Sequence, residues 1–379
     1  MTLRKILSRE FVFTFFAQFT LSLGFCLCIP TLPIYLSRLE STEVQIGVLI
    51  GVLSLSALVF RPVVGRSLPR ISERAFMISG ALLFALTSAA YLLASPFWPF
   101  LVVRIVQGIG LAFFFTASVT LIANISPEAH RGQSLTYFYM AFNLAFALAP
   151  YFGMLLINRL GFTFLFLVCT VLSLFSLLIA MKLKKREGQI EASGDGERSF
   201  FSVEVLPPSL IAFLAHIIWG AIMTFFPLYA LECKVTNPGL FYATFAAVLI
   251  TARAFGGVIL DRYRRENVIL PCLTAFVVSM ILFAFSKTIP MFILVAVIWG
   301  IGSAFLFPAL LIWTLDLAGS ARGPAMGTFT ALQDLGAGIG PVIMGLVLRF
   351  TSYRTMFLCL ALMGAFNWGY FYYVARKKI

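Results

Sequence analysis

The chain of 379 residues is 61% hydrophobic and 11% charged, with a mean hydropathy of +0.98. Soluble domains run nearer half apolar and a quarter charged, so a water-soluble fold is excluded, and the surplus must face lipid, where the backbone satisfies itself only as helices or a closed barrel. The net charge of +13 does not mark a nucleic-acid partner, because no basic, aromatic-interleaved soluble stretch accompanies it.

The apolar runs are continuous over roughly 20 residues rather than alternating, which selects helices over barrel strands. The basic start, Met1 to Glu10, leads into a first span at 11–36. That run is too long for a signal-peptide core, so it is expected to stay as a membrane helix. Spans 2 to 6 follow at 44–65, 75–95, 97–124, 133–158 and 162–182. Residues 183–207 are polar and carry both signs of charge, which reads as a linker, partly disordered. Spans 7 to 12 lie at 208–232, 240–260, 268–286, 290–315, 324–349 and 353–375. The expected fold is therefore all-α, a polytopic membrane protein with twelve transmembrane helices in two six-helix bundles, 1–182 and 208–379.

With the amino terminus placed in the cytoplasm, 21 of the 28 Lys and Arg fall at cytoplasmic ends and six at the other side, with Arg104 left inside span 4. Positive charge concentrates on the cytoplasmic side of membrane proteins. Both termini are thus expected in the cytoplasm, in an inner or plasma membrane, with lipid as the surrounding partner. The six cysteines are scattered through apolar runs with no metal spacing and read as small core residues. No P-loop and no nucleophile–base pairing appears. No enzyme chemistry, cofactor or metal site is expected. The 41 Phe are expected to face lipid for the most part.

The two halves repeat. Residues 131–167 align with 322–358 at an offset of 191, matching Arg131 with Arg322, Pro150 with Pro341 and Phe166 with Phe357. At an offset of 192, Arg61 matches Arg253, Gly65 matches Gly257, Arg70 matches Arg262, and Gly108-Ile109-Gly110 matches Gly300-Ile301-Gly302. Pro33 and Tyr35 match Pro227 and Tyr229 at an offset of 194. Six-helix repeats of the same orientation suit a protein that rocks one half against the other. Gly108, Gly110, Pro150, Gly340 and Pro341 are read as packing or bending positions, since small residues let helices approach and proline bends them.

Charges inside a span are costly and point to function or to a partner. Asp334 falls near the middle of span 11 and Arg104 a few residues into span 4. Their repeat counterparts are Asn143 and Ala296. Each charge is present in one half only, which argues against a purely structural duty. Burial disfavours a charged carboxylate, so Asp334 is suited to carry a proton. Gln107 and Asn143 are taken as polar partners of these two. His216, alone in span 7, reads as a hydrogen-bonded structural residue.

Four stretches resemble the major facilitator superfamily over essentially the whole chain. They are the loop Gly65 to Arg74, with Arg70 and Arg74 and with Pro69 at the family's acidic position; its better-kept repeat Gly257 to Arg265, with Asp261, Arg262 and Arg265; the run Arg104-Ile-Val-Gln107-Gly108-Ile-Gly110-Leu-Ala112; and Ala149-Pro150 with Gly153. The last lacks the Gly before Pro and the paired Gly after it, found in the family's antiporter pattern. The resemblance implies a monomer that moves a small-molecule substrate by alternating access, through a cavity lined by spans 1, 4, 7 and 10. The two Arg-rich loops are expected to gate the cytoplasmic mouth, with Asp261 as acceptor. Proton-coupled export is the leading expectation. A facilitator or uptake symporter of the same fold, and a non-transporting receptor or scaffold, are the alternatives.

Overall fold

Eleven α-helices account for most of the described residues, and no strand occurs among them. The computed structural model describes residues 8–93, 97–127, 130–184, 202–235, 237–262, 265–319 and 322–377; of 131–132, 136, 254–262, 265–266, 322–323 and 375–377 it gives the backbone alone. Most of the expected linker, 185–201, lies outside the described residues.

The helices are α1 (Arg9–Arg38), α2 (Glu43–Ser67), α3 (Glu73–Ala90), α4 (Trp98–Ile125), a long helix Arg131–Met181, then α7 (Leu206–Glu232), α8 (Gly239–Arg262), α9 (Arg265–Phe285), α10 (Ile289–Ala318), α11 (Arg322–Phe350) and α12 (Tyr353–Lys377). The long helix breaks at Gly161, whose φ is 84° and ψ 176°. Only glycine takes that conformation without steric cost. Its arms, 131–160 and 162–181, are α5 and α6, which brings the described segments to the expected twelve. Among the described residues ten helices are long and apolar enough to cross a membrane with the broken one counted once, and α8 adds a shorter apolar stretch, Gly239–Arg253. The segment limits follow the expected spans within a few residues, because the length of the apolar run sets them.

The phenylalanines divide between the interior and the surface. Of the 41 Phe, 18 are buried and seven exposed among the described residues. The rings pack into each unit's interior, where aromatic pairs add to burial.

The chain divides into two compact units. The first holds Met1–Tyr35 with Val52–Gly194, the second Leu36–Gly51 with Asp195–Ile379. The division falls within α2, whose first part belongs to the second unit.

In the first unit, α3 and α4 cross at Gly80 and Gly110: a Cβ added at Gly80 would lie 2.8 Å from the Gly110 carbonyl oxygen. Gly108 faces Leu53 and Ser56 of α2, and Gly153 of α5 faces Leu27 of α1. Buried side chains add polar ties between helices. Ser118 Oγ donates to Gln18 Oε1 at 3.0 Å, and Ser176 Oγ donates to the Ala17 carbonyl at 2.8 Å.

In the second unit α11 carries small residues on two faces. Gly336 and Gly340 meet the backbone of Phe213 and Ile217 on α7, and Gly220 of α7 meets Ala337. The other face takes the start of α2, with Gly345 against Glu43 and Gly47 against Pro341. Where lipid offers no hydrophobic drive between helices, such close backbone approach supplies the packing.

A buried polar trio on a duplicated aromatic scaffold

Each unit contains the same cage of rings. In the first, Tyr35 lies 5.9 Å from Phe100, 4.9 Å from Phe162 and 5.0 Å from Phe166, centroid to centroid. In the second, Tyr229 lies 5.8 Å from Phe292, 5.3 Å from Tyr353 and 5.2 Å from Phe357. The repeat offsets pair every ring of one cage with a ring of the other. A further ring closes each cage: Tyr91 packs on Phe100 and Phe166 at 5.3 and 5.2 Å, and Phe283 packs on Phe292 and Phe357 at 6.3 and 4.8 Å.

The scaffold is duplicated, but its polar content is not. Arg104, 5% exposed, and Gln107, 2% exposed, sit one helical turn apart on α4, so both reach the same side. Arg104 Nη1 donates to Gln107 Oε1 at 2.8 Å and to Tyr91 Oη at 3.3 Å. Tyr91 Oη in turn donates to Gln107 Oε1 at 2.5 Å. A guanidinium has donors only, so the amide must offer it the oxygen. The phenol closes the triangle by accepting from the arginine and donating to the amide. At the repeat positions the second unit has Phe283, Ala296 and Trp299. Trp299 is fully buried and lies 4.5 Å from Phe245 and 6.2 Å from Phe241, centroid to centroid. The repeat positions of the arginine and the amide thus hold an alanine and a buried tryptophan.

Two thiols stand beside the trio. Cys28 Sγ of α1 is 3.7 Å from Cys169 Sγ of α6, and Cys169 Sγ donates to the Gly24 carbonyl at 3.3 Å. Their repeat counterparts, Ile222 and Leu360, are buried apolar residues.

The structure brings Arg104 and Gln107 together as the spacing suggests, and adds Tyr91, which the sequence reading did not single out. A signal was available: the offset of 192 sets Tyr91 against Phe283, Arg104 against Ala296 and Gln107 against Trp299. Asn143 is half-buried on α5 and is not a member of this trio. Asp334 is half-buried on α11, in the second unit. His216, also half-buried, has Nδ1 2.8 Å from the Ala212 carbonyl of its own helix and its ring 4.7 Å from that of Phe307.

In the first Arg-rich loop Gly65 and Arg70 are exposed. Arg74 reaches the end of α6, where its Nη2 donates to the Met181 carbonyl at 2.6 Å. A cation at that position meets the unpaired carbonyls of a helix end. The neighbouring Glu73 accepts from Asn124 Nδ2 at 2.8 Å, which ties α3 to the end of α4. Gly257, Asp261 and Arg262 lie on α8 and Arg265 begins α9, but their side chains lie outside the described residues. Pro150 is buried on α5, and Pro341 lies on the α11 seam against Gly220 and Gly47.

Residues 14–252 and 208–378 match the family model of the Major Facilitator Superfamily. The chain is 23% identical over 340 residues to the staphylopine export protein of Staphylococcus aureus, covering 84% of each. It is 24% identical over 343 residues to multidrug resistance protein 1 of Bacillus subtilis, covering 86% of each. Among solved structures, that of the nucleoside transporter NupG superposes with a TM-score of 0.78 at 15% identity, over 96% of this chain and 98% of that one. The duplicated helical units, the membrane-length segments and these matches lead to one conclusion: the chain belongs to the Major Facilitator Superfamily and is an integral membrane transporter.

Proposed function

We propose that this transporter is secondary active and exports a small organic molecule by alternating access of its two six-helix halves, 1–182 and 208–379, driven by protons. The observation that carries the reading is the buried trio. A guanidinium in a membrane span costs about 2.5–3.5 kcal/mol on insertion scales. In the second unit the same ring scaffold is closed by Phe283, and Ala296 and Trp299 stand at the other two repeat positions. The fold therefore has an apolar solution at this place, and the polar one is kept for another reason.

Arg104 is assigned to coupling, held by Gln107. Arginine stays protonated throughout the physiological range, so its part is to set the field, and the proton itself needs a carboxylate. Asp334 on α11 is that carboxylate, and Asn143 is the neutral residue at the corresponding place in the first half. The Arg-rich stretches Gly65–Arg74 and Gly257–Arg265 gate the mouth at the cytoplasmic edge, where both termini lie. The names of relatives support export: one is a staphylopine export protein and another a multidrug resistance protein. The protein works as a monomer in lipid.

The test is flux of ethidium, norfloxacin and uridine in proteoliposomes, with and without a pH gradient. Acceleration of at least one by an opposing proton gradient is expected. Equal flux with and without the gradient for every compound that moves would remove proton coupling and leave a facilitator.

A further inference from the structure

We propose that Tyr91 is a positioning residue for Arg104: its hydroxyl fixes the guanidinium against Gln107, while its ring serves only the packing. The inference rests on the coupling reading of Arg104 and extends it to a side chain on a different helix. Three observations carry it.

The first is geometric. Arg104 Nη1 reaches both Gln107 Oε1 and Tyr91 Oη, at 2.8 and 3.3 Å, and Tyr91 Oη donates back to the same amide oxygen at 2.5 Å. Gln107 sits on the arginine's own helix. Tyr91 follows the last residue of α3, so its hydroxyl supplies a second, independent anchor. Arg104 is thus tied to a side chain outside its own helix as well as to one within it.

The second is the internal control. The repeat counterpart Phe283 occupies the same ring cage without a hydroxyl, 4.8 Å from Phe357 where Tyr91 is 5.2 Å from Phe166, though stacked where Tyr91 is tilted. Phenylalanine therefore meets the packing demand of this site. The hydroxyl occurs in the half that has the arginine and is missing from the half that has Ala296.

The third is burial. Tyr91 is 0% exposed, and a buried hydroxyl is costly unless hydrogen-bonded. It donates to Gln107 and accepts from Arg104. The phenol is thus satisfied by the arginine and the amide together.

The experiment compares wild type, Tyr91→Phe, Arg104→Gln and the double variant as purified full-length chains. Amide exchange of 101–108 is followed by mass spectrometry. Flux of ethidium, norfloxacin and uridine is followed in proteoliposomes from pH 5 to pH 9. The proposal expects Tyr91→Phe to melt with wild type and yet exchange about fivefold faster in 101–108. It also expects a pH profile flattened as in Arg104→Gln, and a double variant no worse than Arg104→Gln alone. Wild-type exchange together with a wild-type pH profile in Tyr91→Phe would overturn it. A melting temperature that falls with faster exchange across the whole unit would also overturn it, as a structural role. If Arg104→Gln keeps the wild-type pH profile, the coupling reading itself fails, and the exchange arm still scores whether Tyr91 holds the arginine. If none of the three compounds moves, that arm alone decides.

Discussion

The ring of Tyr35 lies 5.0 Å from that of Phe166, and the repeat-related pair Tyr229 and Phe357 stands at 5.2 Å. A contact kept to within a fraction of an ångström between residues 191 and 194 positions apart is what duplication of a whole six-helix unit produces. Similar apolar runs aligned by chance would share composition and not this register.

The cage predicts matched losses. Tyr35→Ala and Tyr229→Ala each empty the centre of a ring cluster and are expected to cost about 3–5 kcal/mol. Tyr229→Phe is expected to cost about 1 kcal/mol, because Tyr229 Oη donates to the Ser286 carbonyl at 2.6 Å. Thermal unfolding in detergent gives the order. A Tyr229→Phe variant as damaged as Tyr229→Ala would show that the hydroxyl and not the ring sustains the cluster.

The α7–α11 seam predicts a sharp difference between glycines. A methyl at Gly340 collides with the Ile217 carbonyl and lies 2.9 Å from Ile217 Cα, whereas one at Gly369 meets nothing within 4 Å. Overpacking of this kind costs about 1–3 kcal/mol. Gly340→Ala should lower the yield of folded protein and its melting temperature, and Gly369→Ala should leave both unchanged. The two are compared by size-exclusion profile and melting of purified protein.

The Arg74 guanidinium caps α6. Arg74→Ala removes the donor to the Met181 carbonyl and should loosen the last turn of α6 by about 1 kcal/mol, roughly a fivefold faster amide exchange over 177–183. Unchanged exchange there would mean that the cap contributes nothing in solution.

Asp334→Asn keeps the size of the side chain and removes its capacity to carry a proton. Gradient-driven accumulation is expected to fall at least about tenfold more than substrate exchange does. Equal losses in both would place Asp334 in substrate binding or folding and outside coupling.

The membrane spans were legible because run length and hydropathy answer directly to bilayer thickness. The register of the repeat was legible because Arg, Gly and Pro matches survive where Leu and Phe matches carry little information. Arg104 and Gln107 announced themselves by a charge inside a span. Tyr91 did not: it stands at the end of span 3, in no motif, and a tyrosine there reads as an interfacial residue. Only the comparison of polar with apolar residues across the repeat separates it from the other aromatics. Which phenylalanines are buried was not legible, because composition says how much apolar surface there is and not which side of a helix bears it. The grouping of 36–51 with the second unit was likewise invisible, since continuous apolar runs mark a span and not its neighbours.

The most direct measurement replaces the trio by its own repeat counterparts, Tyr91→Phe, Arg104→Ala and Gln107→Trp together. Exchanging a buried charge network for packed apolar side chains is often neutral or stabilising. The triple variant is expected to fold, to melt at or above the wild-type temperature, and to move substrate without response to a pH gradient. A variant that fails to fold, or one that still accumulates substrate against its gradient, would contradict the claim that the trio serves coupling and not the fold.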